Sequence, residues 1–550
     1  MSVAAARDGA GARRGRRAAI DLRLSPLRLA AYLAAAIALL PIAGVVWAAA
    51  TGEGAAAIGL DLIARYALTS AVLSLLVAAG TLVMGATAAW LVVMYRFPGR
   101  GVFSWALALP LAAPAFAIAY GYTDMLDVAG PLRTALRAAF GREMFPFEMR
   151  SLWGAAFVLT GAYYPYVYLT ARAAFITQSV CALEAARTMG SGPLEVFRRV
   201  ALPLARPALA ARAALAVMET LSDYGAVNFL GVQTLTTGVV RAWSVFGSPG
   251  AAARLSMLLL VAAAALLWLE RRNRLGESYG ATSARWRVLA QTPLPGWTAW
   301  AATGWCVMLL GFGLVIPAGW LAYRAVSAAP DLPHLLRAAG VSLGLSVVGA
   351  VLTVGLACLL AFGNRTGAWA KRLASLGYAA PGAVLAVGLL GPAALVWRGA
   401  GTFGMAAGVS LLLLLLAYAA RLMASALQPI EAELARVTPS MDRAARSLGE
   451  TEAGAVRRVH APLAKSALWT ATLLILVDVL KELPATLMLR PFNFDTLAVL
   501  ADRYAGDERL GQAAWPALLI VLAALPPIIF LSRKVMGSRP GEARPQEAQQ

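Results

Sequence analysis

Apolar runs of about 20 residues follow one another along the whole chain, with short polar segments between them. A run of this length is what a helix needs to cross the hydrocarbon of a bilayer. Backbone polar groups in lipid must be satisfied within their own segment, so the runs are predicted to be helices. We therefore predict an all-α, polytopic membrane protein with about 12 transmembrane helices in two tandem sets of six. The first set lies near 27–50, 66–95, 102–123, 151–175, 206–230 and 252–270; the second lies near 298–322, 338–363, 373–396, 404–426, 465–487 and 513–532.

Composition agrees with this pattern. Hydrophobic residues make up 60% of the chain and mean hydropathy is +0.69, whereas soluble domains are about 45–50% apolar. A net charge of +20 is also typical of nucleic-acid binding. Here the arginines gather in short segments on one side of the predicted threading, as expected for cytoplasmic loops. We predict contact with membrane lipid, no nucleic-acid partner, and both termini in the cytoplasm.

The threading divides the chain at its most polar stretches. The predicted parts are a basic N-terminus at 1–26, a first unit at 27–275, a cytoplasmic linker at 276–297, a second unit at 298–535 and a disordered tail at 536–550. The first apolar run is longer than the apolar region of a signal peptide and lacks a clear cleavage site, so we predict a retained span. Three cysteines and two histidines have no metal-binding or disulfide spacing.

A polar segment between the fourth and fifth spans of each unit is repeated. Both copies separate a glycine from a proline by 13 residues (203 − 190 and 462 − 449), and the copies are 259 residues apart (449 − 190). The first coupling loop, 184–203, contains Glu184, Ala185, Ala186, Gly190, Leu202 and Pro203. The second coupling loop, 443–462, contains Arg443, Ala444, Ala445, Gly449 and Pro462. A duplicated polar loop predicts a duplicated docking surface.

Each loop is long enough for a short helix, a turn at the glycine and a second short helix. In the first loop Leu194, Phe197 and Val200 recur at helical spacing beside Arg198 and Arg199. This pattern predicts an exposed helix whose apolar stripe enters a partner's socket. An amphipathic helix lying on lipid headgroups is the alternative. The repetition in register favours docking, because lipid contact demands no fixed register.

The loops resemble the EAA loop of binding-protein-dependent ABC importer permeases, which reads EAA, three residues, G, nine residues, I-x-LP. The first loop fits with Val200 at the Ile position; the second has Arg443 at the Glu position and Ala461 in place of Leu. Two such units fused in one chain resemble the ferric-iron permeases, most closely at 222–243 and 481–509. In that family the loop enters a cleft of an ATPase subunit and transmits its closure to the membrane.

The resemblance implies several partners. These are two ABC ATPase subunits on the cytoplasmic face, a periplasmic solute-binding protein on the other, and a location in the bacterial inner membrane. No G-x-x-x-x-G-K-[ST] phosphate loop occurs in the sequence, so ATP and magnesium are expected on the separate ATPase chain. We predict a transport subunit without catalytic residues, without its own cofactor and without a tight metal site. An integral membrane enzyme is disfavoured, because no nucleophile, base and orienting residue stand out together.

Four acidic residues fall inside predicted spans: Glu219, Asp223, Asp478 and Glu482. Both pairs are spaced i, i+4, which puts each pair on one helix face, and they obey the 259-residue offset. A charge at membrane depth costs roughly 2.5–3.5 kcal/mol on insertion scales and by default marks a functional site. We predict a translocation path, with oxygen ligands that suit a hard cation such as ferric iron. The alternative is structural: Lys481 would pair with Asp478, and the other acids would bind nearby backbone.

The leading functional prediction is the membrane subunit of an ATP-driven importer for ferric iron that works by alternating access. Thiamine, polyamines and phosphonates are the alternative cargoes, because similar permeases carry them. The competing class is a secondary transporter driven by an ion gradient. That class would not need a duplicated polar loop.

Overall fold

A computed structural model describes residues 26–51, 58–141, 147–177, 188–190, 192–275, 291–363, 368–374, 377, 380–397 and 403–536. The predicted N-terminus, most of the predicted linker and nearly all of the predicted tail lie outside these residues. The described part is almost entirely helical, so the all-α, polytopic prediction is confirmed. The one extended pairing described joins β1 (Tyr95–Arg96) in parallel to β2 (Thr292–Pro293).

The helices before residue 276 are α1 (Pro26–Thr51), α2 (Leu60–Met94), α3 (Arg100–Ala106), α4 (Ala115–Leu126), α5 (Pro131–Phe140), α6 (Leu152–Thr177), α7 (Pro193–Val196), α8 (Leu202–Ser222), α9 (Gly225–Phe229), α10 (Leu235–Ser244) and α11 (Pro249–Leu275). Those after residue 290 are α12 (Gly296–Leu310), α13 (Ile316–Val326), α14 (Leu332–Gly363), α15 (Ala368–Ala374), α16 (Gly382–Trp397), α17 (Phe403–Leu434), α18 (Pro439–Ser447), α19 (Glu452–Ala455), α20 (Ala461–Leu480), α21 (Pro484–Leu489), α22 (Leu497–Gly506) and α23 (Leu510–Met536).

Nine helices of the described residues are long and apolar enough to cross a membrane, and ten if one bent pair counts as a span. They fall on the predicted first, second, fifth to eighth and tenth to twelfth spans, and the bent pair falls on the third. The fourth is occupied by α6, whose 26 residues include Arg172 and several tyrosines and are less apolar. The ninth is occupied by α16, which has only 16 residues.

The third predicted span is not one straight helix. The chain bends by 90° between Ala112 and Ala115, where a short 3₁₀ turn (Leu109–Ala112) ends and Pro114 precedes α4. Proline lacks an N–H and disfavours helix in the residue before it, so the break is local to the Ala-Ala-Pro sequence. In the second half Pro381 stands at the same place, directly before α16.

The first helix of each half packs on the other half. Helix α1 lies against α14, α16 and α17, and α13 lies against α4. The two contacts are built alike: Gly388 of α16 leaves space for the backbone carbonyl of Pro41, and Gly121 of α4 leaves space for Pro317. Small residues let membrane helices approach closely, which is the main source of packing energy where lipid already satisfies apolar surface. The halves are therefore interlocked rather than merely adjacent.

Candidate coupling loops and central cavity

The described parts of the two coupling loops have the same backbone geometry. Gly190 and Gly449 have positive φ angles of 85° and 82°, a conformation in which any side chain would be strained. Each glycine is followed by a four-residue helix, α7 or α19, and then by one π-helical turn, 197–201 or 456–460. All these elements keep the 259-residue offset. The predicted Glu184, Ala185 and Ala186 lie outside the described residues.

The tip of each loop exposes an apolar side chain immediately before the glycine. Met189 is 78% exposed and Leu448 is 84% exposed, and these residues also obey the offset. Removing a large apolar side chain from water is favourable. At the end of a tight turn this happens only when another surface covers the side chain. Of the other predicted loop residues, Pro203, Arg443, Ala444 and Pro462 are exposed, Leu202 is half-buried and Ala445 is buried.

The prediction that the apolar stripe of the first loop faces a partner is wrong for Phe197 and Val200. The Phe197 ring packs 5.1 Å from the ring of Trp90 and 6.4 Å from that of Phe175, and Val200 packs against the same core cluster. These two side chains therefore fix the loop to the membrane helices. Sequence periodicity identified an apolar face but not the direction in which it points.

The second loop has an additional internal link. His460 is buried, its Nε2 lies 2.7 Å from Asp442 Oδ1, and its ring stacks on Phe362 at 6.3 Å. The position equivalent to His460 in the first loop is Ala201, so the first loop lacks this link. The two loops thus share a backbone and differ in how their short helices are held.

A cavity of about 450 Å³ lies between the two halves and contains all four predicted path residues: Glu219, Asp223, Asp478 and Glu482. Its walls come from α4, α6 and α8 of the first half and from α17, α20 and α23 of the second. The structure thus brings together the acids that the sequence pattern singled out.

The expectation that each acid pair shares one helix face is wrong. Helix α8 ends at Ser222, and Asp223 has an extended backbone. Its Oδ1 accepts hydrogen bonds from the Ala226 and Val227 N–H groups at 3.0 and 3.1 Å. Glu482 likewise follows the end of α20, and its Oε1 accepts from the Ala485 N–H at 3.0 Å. These carboxylates satisfy the free N–H groups at the start of α9 and α21.

The cavity also contains cations, of which the sequence analysis named only Lys481, as the alternative partner of Asp478. Arg421 of α17 donates to Glu482 Oε2. Lys481 Nζ lies 3.3 Å from Asp478 Oδ1 and donates to the Leu111 carbonyl of the first half at 3.2 Å. Arg212 of α8 also lines the cavity. Charged residues within apolar runs were the available signal, since Arg421 falls inside the predicted tenth span.

Geometry and composition define a polytopic membrane protein with two similarly built polar loops and a charged cavity between its halves. Residues 81–275 match the family model described as the binding-protein-dependent transport system inner membrane component. The first half of the chain is thus similar to the membrane components of binding-protein-dependent transport systems.

Similarity to individual proteins extends beyond that segment. The chain is 23% identical over 469 residues to the Fe(3+)-transport system permease protein FbpB 2 of Haemophilus influenzae, covering 82% of this chain and 87% of that protein. It is 31% identical over 160 residues to a putative 2-aminoethylphosphonate transport system permease protein, PhnU, of Salmonella typhi, covering 29% of this chain and 55% of that protein. It is 29% identical over 207 residues to the sulfate transport system permease protein CysT of Salmonella typhimurium, covering 36% and 71%.

Proposed function

We propose that this protein is the membrane subunit of an ABC importer and that it carries ferric iron, delivered by a periplasmic binding protein, into the cytoplasm by alternating access. The observation that carries the proposal is the cavity between the halves, in which acids from both halves converge. Hard oxygen ligands suit a hard cation. Similarity over 82% of the chain to a permease named for Fe(3+) transport supports the same cargo.

The movement of the ATPase subunits would be transmitted to the cavity through the two coupling loops. Met189 and Leu448 occupy the same position in the two loops, and an apolar residue on a tight turn suits an apolar socket in a partner. Two loops of like geometry require two like sockets, hence two ATPase subunits. Helices α8 and α20 begin within these loops and end beside the cavity acids, so a loop displacement would be transmitted along them.

The cavity has a closed end and a more open end. At Gly225 a Cβ atom would lie 2.8 Å from Leu483 and 3.0 Å from Phe116, so the two halves are tightly packed beside Asp223. Toward the coupling loops the cavity is lined by Arg212 and by the exposed Gln428. We propose that this is the inward-facing state. Closure of the ATPase subunits would separate Gly225 from Leu483 and open the outer end.

Glu219→Gln tests the cargo path. Uptake of radioactive ferric iron is measured in cells that express the complete importer and lack other iron uptake. The initial rate should fall about tenfold or more, corresponding to at least 1.4 kcal/mol of lost stabilisation along the path. Glu148→Gln removes an exposed carboxylate outside the cavity and is the matched control. Wild-type uptake by Glu219→Gln at normal membrane abundance would remove this assignment.

A second cargo has a specific observation in its favour. The cavity holds arginine and lysine as well as acids, and one relative is named for 2-aminoethylphosphonate transport. An aminoalkylphosphonate is therefore the second candidate. It requires the same loops and the same cavity.

A further inference from the structure

Most charged groups in the cavity are already engaged. Asp478 pairs with Lys481, and Glu482 pairs with Arg421. Asp223 accepts two backbone N–H groups and also lies 3.3 Å from the Tyr163 hydroxyl, which donates to its Oδ2. These contacts hold the broken ends of α8 and α20. Groups engaged in this way have little capacity left to bind a passing cargo.

Two charged cavity residues differ from the others. Within the part of the chain that the structure describes, the side chains of Glu219 and Arg212 form neither a hydrogen bond nor an ion pair within 4.0 Å. Both belong to the first half and to α8. Among the cations that act electrostatically on Glu219, Arg421 has the largest effect, and Arg421 is paired with Glu482. A charged group left without a partner in a cavity is costly unless something else compensates it.

The spacing of this pair is informative. Glu219 and Arg212 are seven residues apart, which is close to two helical turns, so both lie on the cavity face of α8. Their Cα atoms are separated by about 10 Å along the helix axis. The residues cannot form an ordinary i, i+4 pair at this separation. The cavity therefore presents a negative group near its closed end and a positive group nearer the coupling loops.

We propose that the cargo carries both signs of charge as it crosses this cavity, with a cationic centre at Glu219 and an oxyanion group at Arg212. The inference rests on the proposed transport function. Arginine binds planar or tetrahedral oxyanions with two parallel hydrogen bonds, which a bare cation would not use. A volume of about 450 Å³ also falls among pockets that enclose small organic ligands and exceeds what a bare ion needs.

Two cargoes have this chemistry. One is a ferric ion that keeps an oxyanion ligand, and the other is an aminoalkylphosphonate, whose ammonium and phosphonate groups lie at opposite ends. The two cargoes are distinguished by uptake into cells that express the complete importer and have no other route for either cargo. The probes are radioactive ferric citrate and radioactive 2-aminoethylphosphonate. Uptake of one probe by the wild type identifies the source.

The variants are Arg212→Gln, Arg212→Lys and Lys465→Gln. Lys465 is an exposed cation near the start of α20, outside the cavity lining, and its replacement should leave uptake unchanged. Arg212→Gln should lower the maximal uptake rate about tenfold, and Arg212→Lys should restore part of it, because the charge remains but the two parallel hydrogen bonds are lost. The external concentration for half-maximal uptake should not change, since the binding protein captures the cargo. Loss through misfolding would instead lower membrane abundance, with no rescue by lysine.

The outcomes distinguish failure of the inference about the cargo from failure of the proposed transport function. Uptake by Arg212→Gln at the wild-type rate would overturn the inference while leaving the transport function in place. Failure of the wild type to import either probe would instead refute the proposed function. Rescue by Arg212→Lys together with loss in Arg212→Gln would support an anionic group on the cargo.

Discussion

Replacing Gly388 by alanine adds a methyl group where α16 of the second half crosses α1 of the first. The new Cβ would overlap the backbone carbonyl of Pro41, and backbone cannot yield as a flexible side chain can. The equivalent change in the first half is Gly121→Ala, whose Cβ would lie 2.9 Å from the Pro317 carbonyl oxygen and 3.0 Å from its Cα. Both changes test whether the first helix of each half is locked against the other half.

The structure ranks the two effects. Ordinary Cβ contacts begin near 3.4 Å, so Gly121→Ala requires a shift of about 0.5 Å, and we expect a loss of about 1 kcal/mol in the free energy of unfolding. Gly388→Ala requires a displacement more than twice as large, and we expect about 3 kcal/mol. Gly344→Ala is the control, because nothing lies within 4 Å of a Cβ there. Alanine should be neutral or stabilising at this position by up to about 1 kcal/mol.

Thermal unfolding in detergent can be followed through the thiol of Cys306, which is fully buried and reacts only when the helices separate. A background with Cys181→Ser and Cys358→Ser leaves this thiol as the single reporter. The expected order of melting temperatures is Gly344→Ala at or above wild type, then Gly121→Ala, then Gly388→Ala. A melting temperature for Gly388→Ala equal to that of Gly344→Ala would refute the cross-packing of the two halves.

Two further predictions concern single charges. Arg421→Met leaves the Glu482 side chain, only 8% exposed, without its cation, and should cost about 3–5 kcal/mol in the same unfolding assay; Arg421→Met with Glu482→Met should recover more than half of that loss, and an unchanged single variant would contradict the pairing. Burial raises the pKa of Asp502 in α22 to about 6, above an unfolded value of about 3.9, so its contribution to stability is fully present below the unfolded pKa and is lost as pH rises through about 6. Asp502→Asn should reduce the fall in melting temperature between about pH 4 and pH 7, and an unaltered pH profile would exclude this residue as its source.

The backbone geometry of the coupling loops could be predicted from the sequence. The glycines at 190 and 449 predicted a turn followed by a short helix in each loop, and both glycines have the positive φ angle that such a turn requires. Apolar runs also located the nine helices of the described residues that are long and apolar enough to cross a membrane. These features are set by local chemistry.

Features that depend on packing between helices could not be predicted from the sequence. The i, i+4 spacing within each acid pair suggested that the helices continue through Asp223 and Glu482. Gly225 and Pro484, two residues later, instead favour the start of a new helix. That local signal was present but was outweighed by the helical period. Pairing of Arg421 with Glu482 depends on contact between helices distant in sequence, and so does the packing of α1 on α16. No spacing within a single element specifies such contacts.

The central claim is that the two coupling loops lie in the cytoplasm, bind a separate ATPase and transmit its movement to the membrane helices. The most direct measurement labels Met189→Cys and Leu448→Cys, in a background without other cysteines, with a membrane-impermeant maleimide. We expect both positions to react in inside-out vesicles, to remain unreactive in right-side-out vesicles, and to become protected when the ATPase subunits are bound. Labelling from the outer side, or labelling of both positions at the same rate with and without the ATPase subunits, would contradict the account.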